Sequence, residues 1–192
     1  MILDCVSHIA TQLNMYLKHS FELSEDIVTV SNLIEQDGSM VAATDNRLTV
    51  FLANIEKDTM AAQKGRTTAV VAGRDVVKPK PIFLNLYVMI VANFSGANYT
   101  EGLKFISSVI GFFQQQAVFN HQNSPDLPNQ IEKIILDIEN MKNSELSHLW
   151  GLYGAKYLPS VLYKVRMILI DQTAVTGQVT GVSRPETQAG SQ

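Results

Sequence analysis

Metal binding, nucleophilic attack and general base catalysis depend on a few side-chain types, and this chain holds them sparsely: four histidines, His8, His19, His121 and His148, and one cysteine, Cys5. A metal ion needs several His, Cys or carboxylate ligands at spacings that converge. The histidines are scattered and form no HExxH pattern, so no metal site is expected. His8 falls near the apolar stripe of the first predicted helix, which predicts a partly buried imidazole with a backbone partner. His148, beside Leu149 and Trp150, is expected to face solvent. A serine nucleophile would need an elbow such as GxSxG, which is absent, and Cys5 on a helix reads as a small buried hydrophobe. Gly65 to Gly73 contains no GxxxxGK[ST] phosphate loop, and Gly96 lacks the spacing of a dinucleotide fingerprint. The sequons at Asn93 and Asn98 are short enough to arise by chance. No catalytic residue, cofactor or metal is therefore expected. A concave site shared between copies of an oligomer would still escape a motif search, which leaves a small-molecule-binding enzyme as the competing class.

Charge is distributed unevenly along the chain. Lys57, Lys64, Arg66, Arg74, Lys78 and Lys80 face only Asp58 and Asp75, a local excess of four positive charges. Without interleaved aromatic residues this stretch does not resemble a phosphate-backbone groove. It reads either as a solvated loop or as a contact for an acidic protein ring. The whole chain holds 15 basic and 18 acidic side chains, net -3 with a pI near 5.8. Nucleic acid is accordingly excluded as the expected main partner. Asp4 sits where a signal peptide would be basic, and the longest uncharged apolar run, Ile82 to Phe94, is shorter than the ~20 residues of a spanning helix. The expectation is a soluble intracellular protein with no membrane partner.

The elements that would position these groups follow from periodicity across the 192 residues. Ile2, Val6, Ile9, Leu13 and Leu17, joined by Leu3 and Ala10, step by three and four, the mark of an amphipathic helix. Ile27 to Leu33 predicts a strand with a turn at Asp37-Gly38, and Leu48 to Ile55 predicts an interior strand with two partly apolar faces. From Asp58 to Lys80 the periodicity disappears, predicting a long exposed loop, and Ile82 to Asn93 predicts a central strand. Asn98 with Glu101 resembles a capping box for a helix reaching about Asn120, with Leu103, Ile106, Ile110 and Phe113 as its apolar stripe. Ile134 to Ile138 predicts another strand. Ser144 could cap a short helix carrying Leu146, Leu149, Trp150 and Tyr153, stopped by Gly154. Val161 to Ile170 gives the last strand. Trp150, Tyr153, Tyr157, Phe105, Phe112 and Phe113 are assigned to the core rather than to a stacking platform. The sum is an α+β fold, a single mixed β-sheet flanked by helices, over residues 1–170.

Residues 171–192 hold almost no large apolar group and form an extended or flexible tail. Val175, Gly177, Val179 and Gly181 alternate with Thr176, Gln178, Thr180 and Val182, the period of a strand, and nothing in the predicted core has a place for it. Donation of this strand to the sheet edge of a neighbour is the expected role, with a plain flexible terminus as the alternative.

Four stretches carry a family resemblance: LNMYL at Leu13 to Leu17, VFLANIEKD at Val50 to Asp58, PIFLNLYVMIVANF followed by YTEGLKFISSVIGFFQ, and LWGLYGAKYLPSVLYKVRMI at Leu149 to Ile168. Together they resemble the cap, or tail-terminator, proteins of extracellular contractile injection systems, the phage-tail-like particles of bacteria. The resemblance implies a non-enzymatic protein assembled in the bacterial cytoplasm. It implies a homo-hexameric ring that terminates the inner tube protein and the sheath protein at the end opposite the baseplate, holding both layers together. What carries over by residue is mainly fold: Asn85 in the central strand, Tyr157 and Pro159 at the turn, and Lys164 and Arg166 in the last strand. Lys164 and Arg166 alternate onto one face and could meet an acidic neighbour, or be solvated edge charges. Larger members of that family continue into a further C-terminal region, whereas here about twenty residues follow the core. A baseplate or tube-joining adaptor of the same particle is the nearest alternative.

Overall fold

The computed structural model describes residues 1–58, 68–71, 74–77, 83–154, 157–169 and 178–179. The chain opens with α1, Ile2–Phe21, whose buried face is Cys5, Val6, Ile9, Ala10, Leu13 and Leu17. Glu22 ends it by turning left-handed (φ 52°). The side chain of Asn14 then fixes the next segment: Oδ1 accepts the N–H groups of Ile27 (3.0 Å) and Val28 (2.8 Å), and Nδ2 donates to the Val28 carbonyl (2.9 Å). One helical side chain thus copies the hydrogen bonds of a strand and seats β1, Val28–Val30, against the helix.

β1 runs parallel to β2, Arg47–Lys57, in the register Val28 to Leu48, and is shorter than the predicted Ile27 to Leu33. After the Ser31 N–H bonds the Val50 carbonyl (3.2 Å), the chain leaves the sheet and turns at Gly38 (φ 84°), where Asp37-Gly38 predicts it. β2 pairs antiparallel with β5, Phe83–Asn93, along its whole length, broken once between Leu52 and Asn54. β5 pairs next with β8, Ser160–Leu169, then β8 with β7, Ile131–Ile138, and β7 with β6, Val118–Asn120. The order β1-β2-β5-β8-β7-β6 makes one six-stranded mixed sheet, the α+β layer that the sequence predicts.

α1 and α2, Tyr99–Gln115, cover one face of this sheet. Tyr16 stacks on Phe112 at 4.6 Å, and Phe113 meets Tyr163 edge-on at 5.0 Å. Each large side chain fully buried there contributes about 1.5–3 kcal/mol. Gly102 lets α2 approach: a Cβ would sit 3.0 Å from Phe94. The other face carries a smaller cluster, Leu33, Phe51, Met89, Val91, Trp150 and Leu162, covered by α3, Asn143–Leu152.

Several expectations need correction. The buried stripe of α2 centres on Phe105, Val109, Phe112 and Phe113; of the predicted residues Phe113 is buried and Ile106 and Ile110 pack at its margin, whereas Leu103 is exposed. Its N-cap, Asn98, makes no side-chain cap bond, because Nδ2 donates to Asn46 Oδ1 instead (3.0 Å). The helix ends at Gln115, and Val118–Asn120 pairs as β6. In α3 the cap is Lys142, whose N–H bonds Glu145 Oε2 (2.8 Å), with Ser144 already inside the helix. Gly154 (φ 61°) stops that helix as predicted. The predicted loop from Asp58 to Lys80 contains a hairpin, β3, Thr68–Val71, and β4, Arg74–Val77. A second sheet, β3-β4-β9, includes Gln178–Val179 (β9), so the tail does find a partner in its own chain, though outside the core. The hairpin is an arm inserted between the end of β2 and the start of β5.

Candidate assembly surfaces

The side chains with the strongest intrinsic chemistry lie in the interior. His8 is buried on α1, and its Nε2 lies 2.9 Å from Ser124 Oγ, with the Phe119 ring edge-on at 5.8 Å. The partner is a side-chain hydroxyl in the turn after β6, not the backbone group expected. Burial lowers the pKa of His8, with Asp126 opposing, so the imidazole is neutral and acts as a tie between α1 and that turn. Burial pushes the Cys5 thiol up to about 12, which removes it as a nucleophile near neutral pH. His19, His121 and His148 are exposed and far apart in sequence. Among the described residues no group of three His, Cys, Asp or Glu side chains could hold a metal ion, and no helix is long and apolar enough to cross a membrane.

On the sheet itself a polar ladder crosses four strands. The Tyr87 hydroxyl donates to Glu56 Oε2 (3.0 Å), and Lys164 Nζ stands 5.9 Å over the Tyr87 ring. Arg166 Nη2 donates to Asp137 Oδ2 at 2.7 Å. Desolvation and then the Glu56 bond raise the pKa of Tyr87. The register sets Asn85 between Glu56 and Arg166, where the residue is buried and Oδ1 has no hydrogen-bond partner among the described residues. Lys164 and Arg166 do share a face, but β8 is an interior strand, and the carboxylate that Arg166 meets belongs to its own chain. Alternation alone could not show this, since the identity of the neighbouring strand decides it.

A further surface is apolar and carries no sequence motif. A groove of about 480 Å3 lies beside the β1–β2 edge, lined by Ile2, Leu3 and Val6 of α1, Val30 to Ile34, Val50 to Leu52, and Tyr153. Leu3, which the sequence joins to the apolar stripe of α1, is 68% exposed instead, because it faces this groove rather than the core beneath the helix.

The basic stretch is only partly placed. Arg74 begins β4 and Val179 lies in β9, both at backbone level. Lys64, Arg66, Lys78, Lys80, Val175 and Val182 lie outside the described residues. Tyr157, assigned to the core from the sequence, is exposed instead: it lies beyond the end of α3 and, among the aromatic rings of the described residues, meets that of Trp150, edge-on at 5.8 Å.

The fold is shared with known proteins. Over its full length the chain is similar, at TM-score 0.60 and 22% identity, to a sheath/tube terminator of an extracellular contractile injection system, PVC, solved in its extended state, of which it covers 65%. It is similar at the same TM-score and 15% identity to the tube-terminating cap of the anti-feeding prophage, with 95% of this chain and 59% of that one covered. The chain therefore spans less than two thirds of the length of either protein. No curated protein sequence matches it significantly. The model of the Pvc16 N-terminal domain matches residues 6–184, from α1 through the arm and the sheet to β9, so the chain belongs to the Pvc16 N-terminal domain family.

Proposed function

We propose that this protein is the terminal cap of a contractile, phage-tail-like injection particle. In this reading six copies close into a ring that stops growth of the inner tube and sheath and holds the two layers together at the end far from the baseplate. The particle is built in the bacterial cytoplasm, and the cap performs no catalysis. The observation that carries the reading is the match of one terminator-type domain model to nearly the whole chain, with two terminator structures sharing its fold. The physical features agree with it: a rigid sheet, a buried thiol and imidazole engaged in packing, and surface chemistry concentrated on an arm and on sheet faces. Heterologous contacts of this kind close into a ring only when the rotation between neighbours matches, so the tube end can act as the template for assembly.

Residues 1–170 form the cap body in this proposal. Lys64, Arg66, Arg74, Lys78 and Lys80 carry the arm to an acidic surface across a subunit boundary, and residues 171–192 engage a neighbour through Val175 and Val182. Because exposed pairs are each worth about 0–1 kcal/mol, the basic residues act only together. Deleting the gene and imaging the particles tests the function. Tubes and sheaths of irregular or excessive length are expected, because an unblocked terminal ring keeps presenting the surface to which the next ring adds. An unchanged length distribution overturns the cap reading. Cryo-EM of intact particles should show six copies at the distal end, and density for the chain only at the baseplate would establish an adaptor instead.

A further inference from the structure

The six-stranded sheet leaves part of one edge uncovered. β1 pairs with β2 only as far as Val50, and among the described residues no strand lies on the outer side of β2 from Phe51 to Lys57. β2 also emerges from the core along its length: Leu48 to Phe51 are buried, whereas Asn54 to Lys57 are exposed. The Asp58 N–H bonds the Phe83 carbonyl (2.9 Å), so the two-residue alternation of an antiparallel ladder turns the main-chain groups of Ile55 and Lys57 outward. Asn54 Oδ1 holds the Ile55 N–H (2.8 Å), and the remaining outward groups are a strand template. Beside this edge lies the apolar groove, with Leu3 and Val30 exposed in its wall and Ile55 exposed three residues beyond Leu52.

Charge identifies the occupant. Residues 1–46, which supply most of the groove, hold seven acidic side chains and one basic, Lys18. The arm segment 57–80 holds six basic against two acidic. Its outer strand, β3, is Thr-Ala-Val-Val, rich in β-branched residues, and among the described residues it borders only β4. Among the described residues the arm pairs with β9 and not with its own β2, and neither the outer edge of β3 nor that part of β2 has a strand beside it. We propose that β3 of one copy docks along the outer edge of β2 in the next copy. It extends that sheet across the subunit boundary and brings the net-positive segment 57–80 of one copy to the net-acidic first 46 residues of the next. This rests on the ring reading and names the acidic surface that the arm meets: a second copy of this chain rather than tube or sheath. Each copy donates one arm and accepts one, a head-to-tail contact able to close.

Disulfide trapping in assembled particles tests it. In a Cys5→Ser background, Ile55→Cys is combined in turn with Cys at Thr68, Ala69, Val70 or Val71, the particles are oxidised, and the chains are separated without reductant. A four-residue strand beside Ile55 brings at least one of these positions within the 4.4–6.8 Å Cα separation, roughly, that a disulfide needs. The expected result is a ladder ending at six linked chains for at least one pair, and none for the single-cysteine controls. A cross-link confined within one chain, a link to a tube or sheath subunit, or no link for any of the four pairs overturns the proposal. Cryo-EM of the same particles separates the two levels. An intact ring without inter-copy links sinks the strand docking and leaves the cap standing, whereas particles with no ring of this chain sink both.

Discussion

On one face of the central sheet, α1 and α2 press Leu13, Phe105 and Phe113 into a single cluster with Val50, Ile90, Tyr163 and Met167. On the other face, α3 and the segment around Leu33 cover only the end that holds Phe51, Met89, Val91 and Leu162, and the remaining strands carry Glu56, Tyr87, Lys164 and Arg166. The strands are the same, so the difference lies in what alternate residues were chosen to meet. Side chains on the first face are apolar along the full strand length, whereas β5 changes on the second face from Val91 and Met89 to Tyr87 and Asn85. The first face supplies the stability of the fold, and on the second no helix among the described residues covers the polar end that carries Glu56, Lys164 and Arg166. That division suits a protein whose work is to be contacted.

Phe105→Ala breaks the first face most directly. Phe105 is 1% exposed and touches both Phe21 and Phe94 rings, so the variant should lose about 3–5 kcal/mol in urea unfolding. A loss below about 1 kcal/mol would erase the distinction between the faces. Asn14→Ala comes next, since it strips partners from two N–H groups and one carbonyl between α1 and β1. A cost of about 2–3 kcal/mol is expected, with faster amide exchange at Val28 that should not spread to β8. Acid should act through the same face. Because the folded protein holds the pKa of His8 below its ordinary 6.5, the stability it contributes is full above that value and is lost as pH falls beneath it. His8→Gln should flatten that part of the stability profile between pH 8 and 5, and a profile with unchanged slope would remove His8 as its cause. Arg166→Gln, on the second face, sharpens the contrast from the other side. The pair with Asp137 is about half exposed, so less than about 1 kcal/mol should be lost, and less still in high salt.

Sequence periodicity reached most of the first face and little of the second. Long strands with strong alternation, such as Leu48 to Ile55 and Val161 to Ile170, were legible because a one-residue error would invert every side chain. β6 was not, because three residues are too few to show a period, and Phe119 was absorbed into the preceding helix. On α2 the periodicity reaches Phe113, Ile106 and Ile110 but sets the stripe off by part of a turn, since Leu103 is as apolar as the buried Phe105 and only the approach of Gly102 to Phe94 shows the helix rotation. The arm hairpin hid in a stretch whose charges suggested a loop, although Thr68–Val71 is β-branched. The groove has no motif at all, since its walls come from α1, the 30–34 segment, β2 and Tyr153, which only the fold brings together.

The insertion of β8 between β5 and β7 has a consequence for how the protein is made. β5 finds its first neighbour, β2, within a few dozen residues, but its second arrives only with Ser160–Leu169. A chain emerging from the ribosome therefore presents β5 with one bare, strongly apolar edge until Ser160–Leu169 has been synthesised, and β7 waits for the same strand. Completion of the sheet is in effect a checkpoint that only the arrival of β8 passes. Truncated products lacking β8 should be aggregation-prone fragments rather than partial caps, which keeps unfinished chains out of the particle.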